Sequence, residues 1–267
     1  MGVRLQDVAE LAGVSMKTVS NVVRGYEHVS ASTRERVQRA IDELDYRPNL
    51  MGRRLATGRT GLLALAFANV ALPYFAELSR AVSAAAGEAG YRVLLEETDG
   101  TLEGERAVLT SSESGMVDGI LFQPSAMSSA EISRHRSDLP MVILGEGAAP
   151  LPVDRVMIDN FEAARTATAH LVTLGRRRIG FAGHETQEMS STSLQRIAGY
   201  QQALEDAGLR PDPLLLFPSR EISPSGAVEG VGGALDAGAD FDGLVCRDDL
   251  AAIGALRALH ELSLIHI

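Results

Sequence analysis

The sequence predicts a small all-α head followed by an α/β body of two βα lobes with parallel sheets. Three observations carry this. Over residues 1–60 the apolar residues fall at helical spacing. From residue 62 onward short unbroken apolar runs recur, the pattern of strands covered on both faces by helices. The charge balance changes at the same place. Lys and Arg outnumber Asp and Glu ten to seven over 1–60, but are outnumbered 28 to 15 over 61–267, for a net charge of −10. A basic head on an acidic body suggests that the head alone meets a polyanion.

The elements follow in order. Leu5, Val8, Ala9 and Leu11-Ala12 form a first helix that Gly13 ends. Ser15 can cap a second helix carrying Thr18, Val19, Val22 and Val23, with Gly25 at its end. Ser30 caps a third, whose Val37, Ala40, Ile41 and Leu44 form one apolar stripe before Tyr46-Arg47-Pro48-Asn49 stops it. Residues 50–61 are basic and helix-capable, with too little apolar surface to hold a helix alone. Strands are expected at Leu62–Phe67, Val93–Leu95, Ile120–Phe122, Met141–Leu144, Val156–Ile158, Ile179–Ala182, Leu214–Phe217 and Leu244–Cys246. Helices are expected at Phe75–Ala89, at Phe161–Leu174 with Gly175 closing it, and at Leu250–Leu259, while 146–155 reads as a surface crossover.

Composition narrows the function. The 267 residues are 45% apolar and 22% charged, which excludes a wholly disordered chain. No apolar run approaches the roughly 18–20 residues of a membrane helix, and the N-terminus lacks a signal-peptide pattern. The single cysteine, Cys246, excludes an intrachain disulfide and a thiolate-rich metal site. A cytoplasmic, soluble protein without cofactor, metal or membrane partner is expected. No G-x-G-x-x-G follows the first strand and no G-x-x-x-x-G-K occurs. His184-Glu185 has no second His at zinc-binding spacing, and Ser190, Ser191 and Ser193 lack a nucleophile elbow. A non-enzyme is therefore expected.

Leu5–Val23 has the grammar of a helix-turn-helix, with Ala9 small at the helix crossing, Gly13 in the turn, and Val14 and Val19 pinning the second helix. Ser15, Met16, Lys17, Thr18 and Asn21 remain near its exposed face, where side chains can read base edges in a major groove. An ordinary helical hairpin would show the same pattern. DVAELAGVSMKTVSNVV, HVSASTRERV and ELDYRPNLMGRRLATGRTG nevertheless resemble the DNA-binding head of the lactose-repressor/galactose-repressor (LacI/GalR) family. PYFAEL, MVDGIL, IDNFEAAR, LGRRRIGFAG, RIAGY and RDDLAAIGAL continue the resemblance in order, over residues 3–260.

The resemblance implies a ligand-responsive repressor that binds a palindromic double-stranded DNA operator as a homodimer, with a carbohydrate effector. It implies a helix-turn-helix domain at 1–48, a hinge helix and linker at 49–61, and a periplasmic-binding-protein-like body. That body has its N-terminal lobe at 62–158 and an incomplete C-terminal lobe at 159–262. Ser15, Met16, Lys17, Thr18 and Asn21 would face the major groove, and Ser20, Thr33, Tyr46 and Asn49 would hold phosphates. Leu55 would wedge into the minor groove with Ala56 beside it, unless it merely staples the linker to the body. Tyr74, Phe75, Asp159, Arg196 and Asp249 would surround the effector, where carboxylates accept from sugar hydroxyls and a ring covers a pyranose face. Locally, Tyr74 and Phe75 are equally compatible with core or dimer contacts, Asp248-Asp249 with a helix cap, and Arg196 with a surface ion pair.

The sequence departs from the family pattern at Arg4, where a capping Thr is usual, at Arg176 in place of His, and at Asp248 in place of Asn. Residues 218–240 offer no clear ring-stacking aromatic, and Ile222 is the nearest apolar candidate. The tail, residues 263–267, reads as non-native sequence closing a truncated second lobe whose return strands are missing. The alternative reading is a periplasmic-type solute-binding protein without a regulatory role. It would lack an export signal and leave residues 1–60 without a use.

Overall fold

The structure, a computed structural model, describes residues 3–23, 25–47, 59–135, 139–146 and 152–264. The head holds α1 (Leu5–Ala12), α2 (Met16–Val23) and α3 (Ala31–Glu43). Gly13 ends α1 at φ +62°, a left-handed conformation that glycine adopts without the Cβ penalty. Ser15 Oγ accepts from the Thr18 N–H at 3.1 Å, and Ser30 Oγ from the Thr33 N–H at 3.3 Å, so both expected caps form. Arg4 offers no accepting oxygen at the start of α1. Its own N–H donates to Asp7 at 2.8 Å, which preserves the other half of a capping box. α3 ends before Tyr46, because Leu44 closes it and Asp45 turns the chain at φ 45°. Val8, Ala9, Ala12, Val19, Val22, Val37, Ala40 and Tyr46 form one core, with Ile41 and Leu44 packed against it. Full burial of Val8, Val19 and Val37 contributes about 1.5–3 kcal/mol each.

The body alternates strands and helices. It runs β1 (Leu62–Phe67), α4 (Pro73–Glu88), β2 (Arg92–Glu97), α5 (Leu102–Ser111), β3 (Ile120–Phe122), α6 (Ser129–Arg134), β4 (Met141–Leu144) and β5 (Asp154–Val156). It continues with α7 (Asn160–Thr173), β6 (Ile179–Glu185), α8 (Ser191–Asp206), β7 (Leu216–Ser219), α9 (Pro224–Asp236), β8 (Gly243–Cys246) and α10 (Asp249–Glu261). The sheet orders are β2-β1-β3-β4-β5 and β7-β6-β8. The pairings are parallel, with Ala64 opposite both Leu94 and Ile120, and Phe181 opposite both Leu216 and Val245. Two compact units result, residues 1–126 with 135–141 and residues 127–134 with 142–267.

In the first unit, Ala64, Leu65, Ala66 and Phe67 are all but fully buried, as a strand covered on both faces requires. In the second, Ile179 and Phe181 pack with Ile197, Tyr200 and Leu204. Ala182 packs with Phe217, Val231, Ala255 and Ala258 in a separate cluster. Adjacent strand residues thus serve opposite faces. Gly199, in the RIAGY segment, sits where α8 crosses α7, and a Cβ there would overlap the Phe161 carbonyl oxygen.

Two expected strands shift. The run Val156–Ile158 is exposed, and the strand is Asp154–Val156, set by its register with Val142–Leu144. The run Leu214–Phe217 begins as a 3₁₀ turn, Pro213–Leu215, because Pro213 fixes φ and Asp212 accepts from the Leu214 N–H at 2.9 Å. The strand then starts at Leu216.

Candidate nucleic-acid interface and ligand site

The second helix of the head presents the surface expected of a reading helix. Val19 and Val22 turn into the core, while Ser15, Met16 and Lys17 are exposed and Thr18, Ser20 and Asn21 are half-buried. Met16 is 52% exposed, an apolar side chain held toward solvent by the same register that buries Val19. Ser15 Oγ also lies 2.9 Å from Thr18 Oγ1, so the first turn is fixed from within. The N-terminus of α2 adds unpaired N–H groups and a partial positive charge, suited to phosphate. Thr33 is half-buried on the first turn of α3, its hydroxyl taking a hydrogen bond from Ser30 at 2.9 Å. Tyr46 is buried in the head core. Asn49, Leu55 and Ala56 lie outside the described residues.

The linker end is anchored. Asp118, just before β3, accepts from the Thr60 N–H at 2.7 Å, the Thr60 hydroxyl at 2.9 Å and the Gly61 N–H at 2.8 Å. Partial burial would raise this carboxyl. The bonds from Thr60 and Gly61, with the charge of Arg59, outweigh that and hold it below the ordinary aspartate value. This clasp was not foreseen from the sequence, although the MVDGIL motif contains it.

The residues expected around an effector divide by unit. In the first, Phe75 is buried and stacked on Phe67, with ring centroids 4.9 Å apart and planes 8° from parallel. It is a core residue there. Tyr74 stands edge-on to Phe75 and is 56% exposed, so its ring is open to a ligand.

In the second unit, Asp159, Arg196 and Asp249 all lie near the carboxyl ends of strands, where open parallel sheets bind ligands. Asp159 caps α7 by accepting from the Glu162 N–H at 3.0 Å, and it is exposed. Asp249 is exposed on the first turn of α10, and Asp248 is the cap, accepting from the Ala251 N–H at 2.9 Å. Arg196 is the centre of a network. Its Nε donates to Asn160 Oδ1 at 2.7 Å, and its Nη1 donates to the Arg247 carbonyl. Asn160, buried, donates in turn to Glu146, which also accepts from the Thr192 hydroxyl at 2.8 Å. Arg247 donates to Ser193 at 2.8 Å and to Asp248 at 2.5 Å. Such a lattice fixes the guanidinium plane of Arg196 before any ligand arrives. Glu146, Asn160, Thr192 and Arg247 were missed by sequence reasoning. Their shared signal is position, since each is polar and follows closely on a strand end or opens a helix beyond one.

Among the described residues no group of three or more His, Cys, Asp or Glu could hold a metal ion, and no helix is long and apolar enough to cross a membrane.

Comparison with known proteins gives the family. Residues 4–49 match the model for bacterial regulatory proteins of the lacI family. Residues 60–263 match the model for periplasmic binding proteins and the sugar binding domain of that family. The transcriptional regulator AscG of Escherichia coli K12 is 35% identical over 260 residues, covering 96% of this chain and 76% of AscG. The lac repressor dimer bound to operator superposes with a TM-score of 0.84 at 27% identity, covering 98% of this chain and 79% of that one. The regulator CelR in complex with cellobiose superposes at 0.66 with 30% identity, covering 97% and 78%.

Proposed function

The chain belongs to the lacI family of bacterial regulatory proteins, and from that premise we propose that it is a ligand-controlled repressor. It is a DNA-binding transcription regulator of the helix-turn-helix type. In our reading a homodimer holds two heads on the half-sites of a palindromic operator in the cytoplasm, and a sugar or sugar derivative changes its affinity for that operator. The lac repressor dimer on its operator and CelR with cellobiose support the two halves of this reading. The protein binds and does not catalyse. A purely solute-binding role finds no support, since it leaves the head unused.

The roles proposed for residues follow the family resemblance. Ser15, Met16, Lys17, Thr18 and Asn21 read the major groove, while Ser20, Thr33 and Asn49 hold phosphates. Tyr46 holds a phosphate with them, its ring anchored in the head core. Leu55 and Ala56 form the minor-groove wedge. Tyr74, Asp159, Arg196 and Asp249 contact the effector, and Phe75 supports Tyr74 from beneath. The domains proposed are the head at 1–48, the hinge at 49–61, and lobes at 62–158 and 159–262, with 263–267 as a tail.

The observation that carries the proposal is the register of α2. It buries Val19 and Val22 and leaves Met16 and Lys17 outward on the first turn of a helix capped by Ser15. Selection of bound fragments from random duplex DNA by the full chain tests it. A palindrome with a central C-G step is expected. Enrichment of no sequence, or of one lacking two-fold symmetry, contradicts the proposal.

A further inference from the structure

The surface that α2 turns outward carries a thioether. Met16 stands on the first turn of that helix and is 52% exposed, because the register that buries Val19 and Val22 directs it to solvent. An exposed methionine is a soft apolar contact, and it is also an oxidisable group. The other methionines stand differently. Met127 is buried, Met141 and Met189 are half-buried, and Met116 and Met157 are exposed on the body, after α5 and after β5. Met1 and Met51 lie outside the described residues. Among the described residues Met16 is thus the one methionine of the head, and it lies on the helix proposed to read DNA.

The group that more commonly answers to peroxide is closed off. Cys246, the only cysteine, ends β8. Burial, with the charge of Asp248, pushes its thiol up to about 11. The thiolate is the reactive form, so a thiol held protonated at neutral pH attacks peroxide slowly. Thioether sulfur needs no deprotonation to react, and its rate follows exposure.

We propose that Met16 is a reversible redox switch for operator binding, oxidised to the sulfoxide by a hydroperoxide while the head is off DNA. This rests on the operator reading above. The sulfur lone pair attacks one peroxide oxygen and forms the S–O bond as the O–O bond breaks. The attacked oxygen gives up its proton to the leaving hydroxide, which departs as water. Sulfur is oxidised by two electrons and the peroxide reduced by two. The product places a polar accepting oxygen where the thioether offered base edges an apolar contact, such as one to a thymine methyl. Pressed into the groove, that oxygen loses its water without a donor arranged to replace it, and binding weakens. Methionine sulfoxide reductases, one for each epimer, return the thioether. Bound operator covers Met16 and so protects it.

The test uses the full chain and a fluorescent duplex of the sequence that the untreated chain enriches. The protein is treated with graded hydrogen peroxide, each sulfoxide is mapped by peptide mass spectrometry, and affinity is read by anisotropy, with circular dichroism as the check on folding. Affinity should fall about tenfold or more in step with Met16 sulfoxide, and the two reductases should restore it. Met16→Leu is compared with itself before and after peroxide, whatever its starting affinity, and its ratio should stay near one. Met116→Leu/Met157→Leu should keep the full loss. Prior addition of the duplex should slow oxidation at Met16 and leave Met116 and Met157 unprotected. Unchanged affinity with Met16 fully oxidised overturns the inference and leaves the operator reading intact, as does an equal loss in Met16→Leu. An untreated chain that enriches no duplex overturns both.

Discussion

Lys17 is the only lysine in the chain and stands exposed on the first turn of α2, where a long flexible cation meets either a phosphate or a guanine edge. If it neutralises a phosphate, Lys17→Ala reduces the slope of log affinity against log salt by up to about one unit. Fluorescence anisotropy on a selected operator across a salt series reads this directly, and an unchanged slope with unchanged affinity removes Lys17 from the interface. Asp118 shows a residue acting through its charge state. Its folded carboxyl titrates below the ordinary aspartate value of 3.8. The unfolded chain therefore binds more protons as pH falls, and the stability contributed by the clasp is complete above about that value and lost as pH drops through the lower folded one. Urea unfolding from pH 6 down to about 3 should show Asp118→Asn already destabilised at pH 6, and the gap to the unaltered chain closing in acid. A pH-independent gap would mean that the carboxylate charge is not what holds Thr60 and Gly61. At this scale the sequence was partly legible. Arg196, Asp159 and Asp249 could be singled out by motif, but Asn160 and Glu146, which join them at the strand ends, could not. Their importance lies in whom they touch across 36 and 14 residues of chain, and no local pattern encodes a contact of that kind.

Among the elements, caps and close crossings carry testable energies. Ser30→Ala removes the oxygen that accepts the Thr33 N–H and should cost the head about 1 kcal/mol, read by thermal or urea unfolding. A loss near zero would mean that water replaces the cap. Gly199→Ala drives a methyl into the Phe161 carbonyl and should cost about 1–3 kcal/mol by forcing α8 from α7. No loss would show that the helices can separate freely. Several unbroken apolar runs were legible to the residue: Leu62–Phe67, Ile120–Phe122 and Met141–Leu144 form as read. The failures share a cause. At Val156–Ile158 and Leu214–Phe217 an apolar run marked a strand, but strand limits are set by the partner's register and by the backbone before it. Pro213 and the Asp212 side chain tighten the chain into a turn where hydrophobicity alone suggests extension. Conversely, Pro73 let α4 start two residues before the expected Phe75, because a proline fits the first turn of a helix.

Across the whole molecule, the basic head suits DNA, and the family matches divide the chain into a regulatory head at 4–49 and a sugar-binding-type body at 60–263. Control then requires coupling. A ligand changes DNA affinity only to the extent that it binds two conformations of the dimer unequally, and DNA must alter ligand affinity by the same factor. Thr60 and Gly61, which lead into β1, are held to the body by three hydrogen bonds to the one carboxylate of Asp118. The central claim, that α2 reads an operator, is tested most directly by parallel selections from random duplex DNA with the unaltered chain and with Met16→Gln and Lys17→Gln. The account predicts a palindrome of the same half-site spacing in all three, with base preference changed at symmetry-related positions in the Met16 variant, and in the Lys17 variant as well where Lys17 meets a guanine edge rather than a phosphate. Enriched sequences identical at every position would contradict it, and would place recognition on another surface of the protein.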